Sequence, residues 1–159
     1  ISCPYEISKN IVYNKMNYAI KNIMEDGIII TADTIVYIDG NILGKPSSLE
    51  EAFNMINMLQ GKKHQVFTGL CVSRKNNNTV EIFLDVEKTD IYMRKLETQE
   101  IIDYISTNES LDKAGGYAIQ AKGSLLIDKI DGDYFNVVGL PIKNLYNLLK
   151  NFNINLYRI

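Results

Sequence analysis

Apolar residues near the start of the chain recur at helical spacing and then give way to an unbroken run. Ile7, Ile11, Val12, Met16, Ala19, Ile20 and Ile23 fall on one face of a helix predicted over residues 4–25. Lys15 interrupts that face, one turn from both Ile11 and Ala19. A lysine there either snorkels to solvent or delivers a cation from a helix into a site. Residues 28–38 read as strand, and Asp39-Gly40 is a tight hairpin turn into Ile42-Leu43. Ser48-Leu49-Glu50-Glu51 forms a capping box; it opens a helix with Leu49, Ala52, Phe53, Ile56 and Leu59 on one side, stopped by Gly61.

The second half follows the same logic. Strands are predicted over 65–73 and 80–92, joined by the polar turn 74–78. Thr98 caps a helix running to residue 105, and Gly115-Gly116 break the chain before a short strand, 117–119, with Gln120 at its end. Residues 125–130 form a further strand. Pro141 suits the first turn of a last helix carrying Ile142, Leu145, Leu148, Leu149 and Phe152. There is no internal repeat, linker or low-complexity segment. The mixture predicts one α/β domain over residues 1–159, built on a mixed β-sheet with flanking helices.

Composition narrows the function classes. With 159 residues, 46% of them hydrophobic and 23% charged, the chain suits a globular domain with a substantial core. A net charge of -2 argues against a broad basic surface for DNA or RNA, though not against a small anion held by a few well-placed cations. No apolar run suits a bilayer-spanning helix and no basic-then-apolar leader opens the sequence, so no membrane partner is expected. Cys3 and Cys71 lack partners at metal-ligand spacing, and a reduced, cytoplasmic protein is expected. His64 is the sole histidine, which argues against the usual zinc sites and a Ser-His-Asp triad. Any metal would be a hard cation on carboxylate oxygens and water.

The candidate chemistry begins where the isoleucine run breaks, in Ile28-Ile29-Ile30-Thr31-Ala32-Asp33-Thr34. An acid there, read as standing at the lip of a strand, must be solvated, paired or metal-bound, because an isolated buried carboxylate is costly. The carboxyl ends of strands in open α/β sheets are also where ligands bind. Asp33 is therefore the first candidate for chemistry and Lys45, in Gly44-Lys45-Pro46, the first candidate for holding an anion. Together with Lys15 and the amide of Gln120, they suit hydrolysis of a phosphate ester or anhydride with a divalent cation. Asp112 and Lys113 read as a local turn pair; Asp128, Asp131 and Asp133 as solvated turn acids; Tyr104 and Tyr117 as packing.

Five blocks carry more than these single residues do. Ala32-Asp33-Thr34, Gly44-Lys45-Pro46, His64-Gln65-Val66-Phe67-Thr68-Gly69, Asp112-Lys113-Ala114-Gly115-Gly116-Tyr117-Ala118-Ile119-Gln120 and Gly132-Asp133-Tyr134-Phe135-Asn136-Val137-Val138-Gly139-Leu140-Pro141 occur in this order. The series closely resembles the Maf family of nucleoside triphosphate pyrophosphatases over nearly the whole chain. The resemblance implies that Asp33 is the catalytic acid-base residue and a ligand of Mg²⁺ or Mn²⁺. It makes Lys15 and Lys45 the functional lysines, and Thr34 and Gln120 the substrate-binding pair of dTTP/UTP-type members. It implies an elongated fold like that of inosine triphosphate pyrophosphatases, with a cleft between two lobes, and homodimers are common among related proteins. The expected reaction is cleavage between the α- and β-phosphates of a pyrimidine nucleoside triphosphate. The alternative class is a nucleotide-binding regulatory module without turnover, since some members are associated with arrest of cell division.

Two departures from the family pattern stand out. Its opening Ser-x-Ser-Pro-Arg-Arg segment, with the strand before it and a glutamate of the site, has no counterpart here; relative to the family the chain is incomplete at its N-terminus. Ala121 stands where a glycine commonly follows the glutamine.

Overall fold

The computed structural model describes residues 3–77 and 79–159. Helix α1 (Pro4–Asn22) begins with a proline in its first turn, whose missing N–H costs nothing there, and buries Ser8, Val12 and Met16 along one stripe. Strand β1 (Gly27–Ile38) turns at Asp39-Gly40 into the short β2 (Asn41–Leu43). Helix α2 (Leu49–Leu59) is capped by Ser48, whose hydroxyl accepts from Glu51 N–H at 3.1 Å. The long strands β3 (Lys63–Asn76) and β4 (Thr79–Met93) follow, then α3 (Thr98–Ile105), β5 (Ile127–Asp131), α4 (Tyr134–Val138) and α5 (Ile142–Lys150). Among the described residues no helix is long and apolar enough to cross a membrane.

The strands form one sheet in the order β2-β1-β3-β4-β5. Every neighbouring pair is antiparallel, which corrects the expected mixed sheet. The reason lies in the crossover. β2 and β3 run in the same direction, but α2 carries the chain over β1, so the two like-directed strands flank β1 instead of pairing. Period-2 alternation sorts the faces. Ile29, Ile35, Phe67, Cys71 and Val86 face α1, where they meet Val12, Met16, Ile7 and Ile11. On the other face Val36, Ile38, Val66 and Ile91 pack on α2 and α3, while Leu70 and Val72 pack on α5.

Four further expectations need correction. Residues 117–119 are not a strand. Gly115 and Gly116 take left-handed backbone (φ 73° and 76°), and the segment continues into a 3₁₀ stretch, Ala121–Leu126, with no ladder partner. That stretch also absorbs Leu125 and Leu126, so the following strand starts at Ile127. Thr98 is the first helical residue of α3, not its cap. Glu97 caps it, and the Glu100 carboxylate accepts from Glu97 N–H at 2.9 Å. The polar turn expected over 74–78 is shorter, since β3 runs to Asn76; Asn78 lies outside the described residues.

Candidate functional site

Asp33 is not at a strand end. It sits in the middle of β1, in register with Gly69 of β3, on the face covered by α1. Gly69 explains how α1 reaches it: a Cβ there would stand 2.5 Å from the Ser8 carbonyl oxygen and 3.0 Å from Val12 Cγ1. With only hydrogen at that position, the helix lies close on β1 and β3. Lys15 is thereby brought over the strand, where its ammonium ion-pairs with the Asp33 carboxylate and donates to the Ala32 carbonyl at 3.3 Å. The Lys15 side chain is 48% exposed and that of Asp33 29%, so the pair is half in solvent.

β2 pairs with β1 only from Val36 to Ile38, which leaves one edge of residues 27–35 without a strand neighbour among the described residues. A cavity of about 340 Å³ is lined there by Ala32, Asp33 and Thr34 in succession. Consecutive side chains of a strand point to opposite faces, so a cavity touching all three lies against the strand edge. Lys15, Lys45, Asp112, Lys113, Tyr117, Gln120 and residues 137–139 complete much of the wall. The sequence-predicted residues Lys15, Asp33, Thr34, Lys45 and Gln120 thus line one cavity.

Each wall has a local cause. The loop after β2 holds Lys45, and the Gly44 carbonyl accepts from Gly115 N–H at 3.0 Å, tying that loop to the Gly-Gly turn. A side chain at Gly115 would crowd Val36, whose Cγ2 lies 3.0 Å from the would-be Cβ. Gln120 carries an exposed amide with no hydrogen-bond partner among the described residues, free to meet a ligand. Thr34 Oγ1 lies 2.8 Å from Thr68 Oγ1, and the Thr68 hydroxyl is 3.2 Å from the Asn136 carbonyl, to which it donates. The Asn136 amide in turn donates to the Val66 carbonyl (3.2 Å) and Thr89 Oγ1 (2.9 Å), fixing α4 and the cavity wall after it.

Sequence reasoning undervalued several of these residues. Asp112 and Lys113 are a local pair, with Nζ–Oδ2 at 3.1 Å, yet both face the cavity. The hydrogen bond from Lys113 holds the Asp112 carboxyl below its usual range, with Lys45 adding to the effect at longer reach. Tyr117 is buried as packing, and it also lines the cavity. Asp133 is a helix cap, its Oδ1 accepting from Phe135 N–H at 2.8 Å, and not a free turn acid. The only signal for Lys113, Thr68 and Asn136 was their membership of the five blocks.

Three lysines and two acids line the cavity, leaving one surplus cation. Among the described residues no group of three or more His, Cys, Asp and Glu side chains is gathered as a metal-binding set. The geometry thus defines a class: an α/β protein whose cavity, built on a strand edge, favours an anionic ligand.

Comparison with known proteins makes the class specific. A family model described as Maf-like protein matches residues 3–152, and the chain belongs to that family. It is 48% identical over 147 residues to a dTTP/UTP pyrophosphatase of Caldanaerobacter subterraneus subsp. tengcongensis, covering 92% of this chain and 70% of the relative. A dTTP/UTP pyrophosphatase of Thermoanaerobacter sp. (strain X514) is 45% identical, over 96% of this chain and 80% of the relative. One from Alkaliphilus oremlandii is 46% identical, over 98% and 80%.

Proposed function

We propose that this chain is a nucleoside triphosphate pyrophosphatase, a hydrolase that converts dTTP and UTP to the monophosphate and pyrophosphate. The observation that carries the reading is the lining of one cavity by Lys15, Asp33, Thr34, Lys45 and Gln120 in a chain 45–48% identical to dTTP/UTP pyrophosphatases. The cavity volume of about 340 Å³ lies within the roughly 300–1,000 Å³ of small-molecule sites.

Asp33 takes the proton of the attacking water as the water oxygen bonds to phosphorus and the anhydride between the α- and β-phosphates opens. Pyrophosphate leaves with the bridging oxygen. Lys15, already beside the Asp33 carboxylate, and Lys45, with no acid in ion-pair range among the described residues, neutralise phosphate oxygens as compact charges. Thr34 and Gln120 offer a hydroxyl and an amide to the pyrimidine edge.

A divalent cation, Mg²⁺ or Mn²⁺, fits the donor set in one form. Asp33 would supply a carboxylate oxygen beside oxygens of the triphosphate, as is common for Mg²⁺ on nucleotides. When bound, such a cation neutralises charge on the phosphates. A homodimer, a two-lobed cleft like that of inosine triphosphate pyrophosphatases and a cytoplasmic setting belong to the same reading. The free thiols of Cys3 and Cys71 are consistent with the last.

The test is pyrophosphate release from dTTP and UTP with Mg²⁺. Asp33→Asn is expected to lower the rate by at least about 100-fold, the usual yield of general acid-base catalysis. Equal rates in parent and variant contradict the role given to Asp33. Calorimetric binding of a nonhydrolysable pyrimidine triphosphate by a parent without turnover would instead identify a nucleotide-binding module.

A further inference from the structure

Gln120 reaches the cavity on a segment that has no strand ladder to hold it. Among the described residues, few bonds tie the segment between the Gly-Gly turn and the 3₁₀ stretch to its surroundings. Ala118 N–H donates to the Tyr104 hydroxyl at 3.0 Å, and the Tyr117 hydroxyl lies 2.6 Å from His64 Nε2. The second tie is costly by itself. His64, on β3 and only 1% exposed, leaves its Nδ1 without a hydrogen-bond partner. Burial also drives its pKa down to about 4. A leucine or phenylalanine on that face of β3 would pack the core without orphaning a polar atom.

What His64 does in return is fix Tyr117. The two rings stand edge to face, with centroids 5.5 Å apart and planes at 87°, and the hydrogen bond sets the depth of the tyrosine. Tyr117 lines the cavity and lies three residues before Gln120, so anchoring its ring limits where the Gln120 amide can go. We infer that His64 is a positioning residue for recognition of the base, acting through Tyr117 on Gln120. The inference rests on the reading that Gln120 meets the pyrimidine of a nucleoside triphosphate.

The chemistry of the phosphates sits elsewhere, on Lys15, Asp33 and Lys45, so the two functions separate in an experiment. Tyr117→Phe keeps the ring and removes the hydroxyl; His64→Leu removes the partner; His64→Gln keeps a polar group within reach. Steady-state pyrophosphate release from UTP and GTP is measured for each, with inhibition by inorganic tripolyphosphate, which has no base, and with melting curves as a check on folding. Tyr117→Phe and His64→Leu are expected to raise KM for UTP about tenfold with kcat within about twofold. The UTP-over-GTP preference should fall by a similar factor while the Ki for tripolyphosphate stays unchanged, and His64→Gln should recover part of the loss.

If Tyr117→Phe leaves KM and preference at parental values, the inference is overturned. It is also overturned if KM for UTP and Ki for tripolyphosphate rise together, because the hydrogen bond then merely supports the cavity as a whole. Should His64→Leu fail to fold, Tyr117→Phe still decides. A parent that releases no pyrophosphate from UTP overturns the underlying reading, and the inference falls with it.

Discussion

Asp33 and Lys15 meet because two unrelated local facts coincide: an acid on the α1 face of β1, and a glycine opposite it on β3 that lets the helix approach. Asp33 was legible in the sequence because a carboxylate inside a run of isoleucines has few structural explanations. Its position was not, since the apolar pattern does not say that Gly69 of β3 stands opposite it. Lys113 was harder to see. An Asp-Lys pair before two glycines looks like any solvated turn, and only the three-dimensional course of residues 112–120 turns it toward the cavity.

Two residue-scale predictions follow from backbone and burial. Ala121, which stands where the family commonly has glycine, has φ 53°, in the left-handed region. An L-residue with a Cβ pays about 1 kcal/mol there, so Ala121→Gly should raise stability by about that amount in urea unfolding. An unchanged or lower midpoint would contradict this. His64 titrates near 6.5 when unfolded and is lowered to about 4 by burial when folded. Its folded pKa is depressed, so its contribution is full above pH 6.5. As the pH falls from 6.5 toward 4 the unfolded chain takes up the proton first, and about 3 kcal/mol is lost. His64→Gln should remove that part of the pH slope; identical slopes in parent and variant would contradict the assignment.

At the scale of elements, strong patterns and short connections behaved differently. The apolar runs of β1, β3 and β4 were readable because helices cover both sheet faces, and the stripes of α1, α2 and α5 because each helix buries one face. The five-residue α4 was missed because it is too short to show a helical period, although Asp133 caps it. Residues 117–119 misled for the opposite reason. Their extended, apolar appearance is real, with Tyr117 at φ -143° and ψ 154°, but side-chain bonds to His64 and Tyr104 replace the ladder. The junction of α1 with the sheet supplies a prediction. In Gly69→Ala the new methyl meets the Ser8 backbone carbonyl, which cannot rotate away, so a loss of about 2–3 kcal/mol is expected. The shifted helix should carry Lys15 away from Asp33, lowering turnover as well as the melting temperature. A variant as stable and active as the parent would show that α1 is not seated as described.

For the whole molecule, local pattern could define the elements but not their neighbours. Helices between strands suggested a mixed sheet. The fully antiparallel order arises because β2 and β3, the two strands joined by α2, are separated by β1. Among the described residues β2 pairs with β1 only at Val36–Ile38, and the cavity lies beside the preceding Asp33 stretch. The proposed reaction in this cavity opens the α–β anhydride of a pyrimidine triphosphate, using Asp33. The most direct measurement is ³¹P NMR of dTTP incubated with Mg²⁺ and either the parent or Asp33→Asn. Pyrophosphate and dTMP should accumulate with the parent and barely at all with the variant. Release of orthophosphate and dTDP, or equal pyrophosphate from both proteins, would contradict the account.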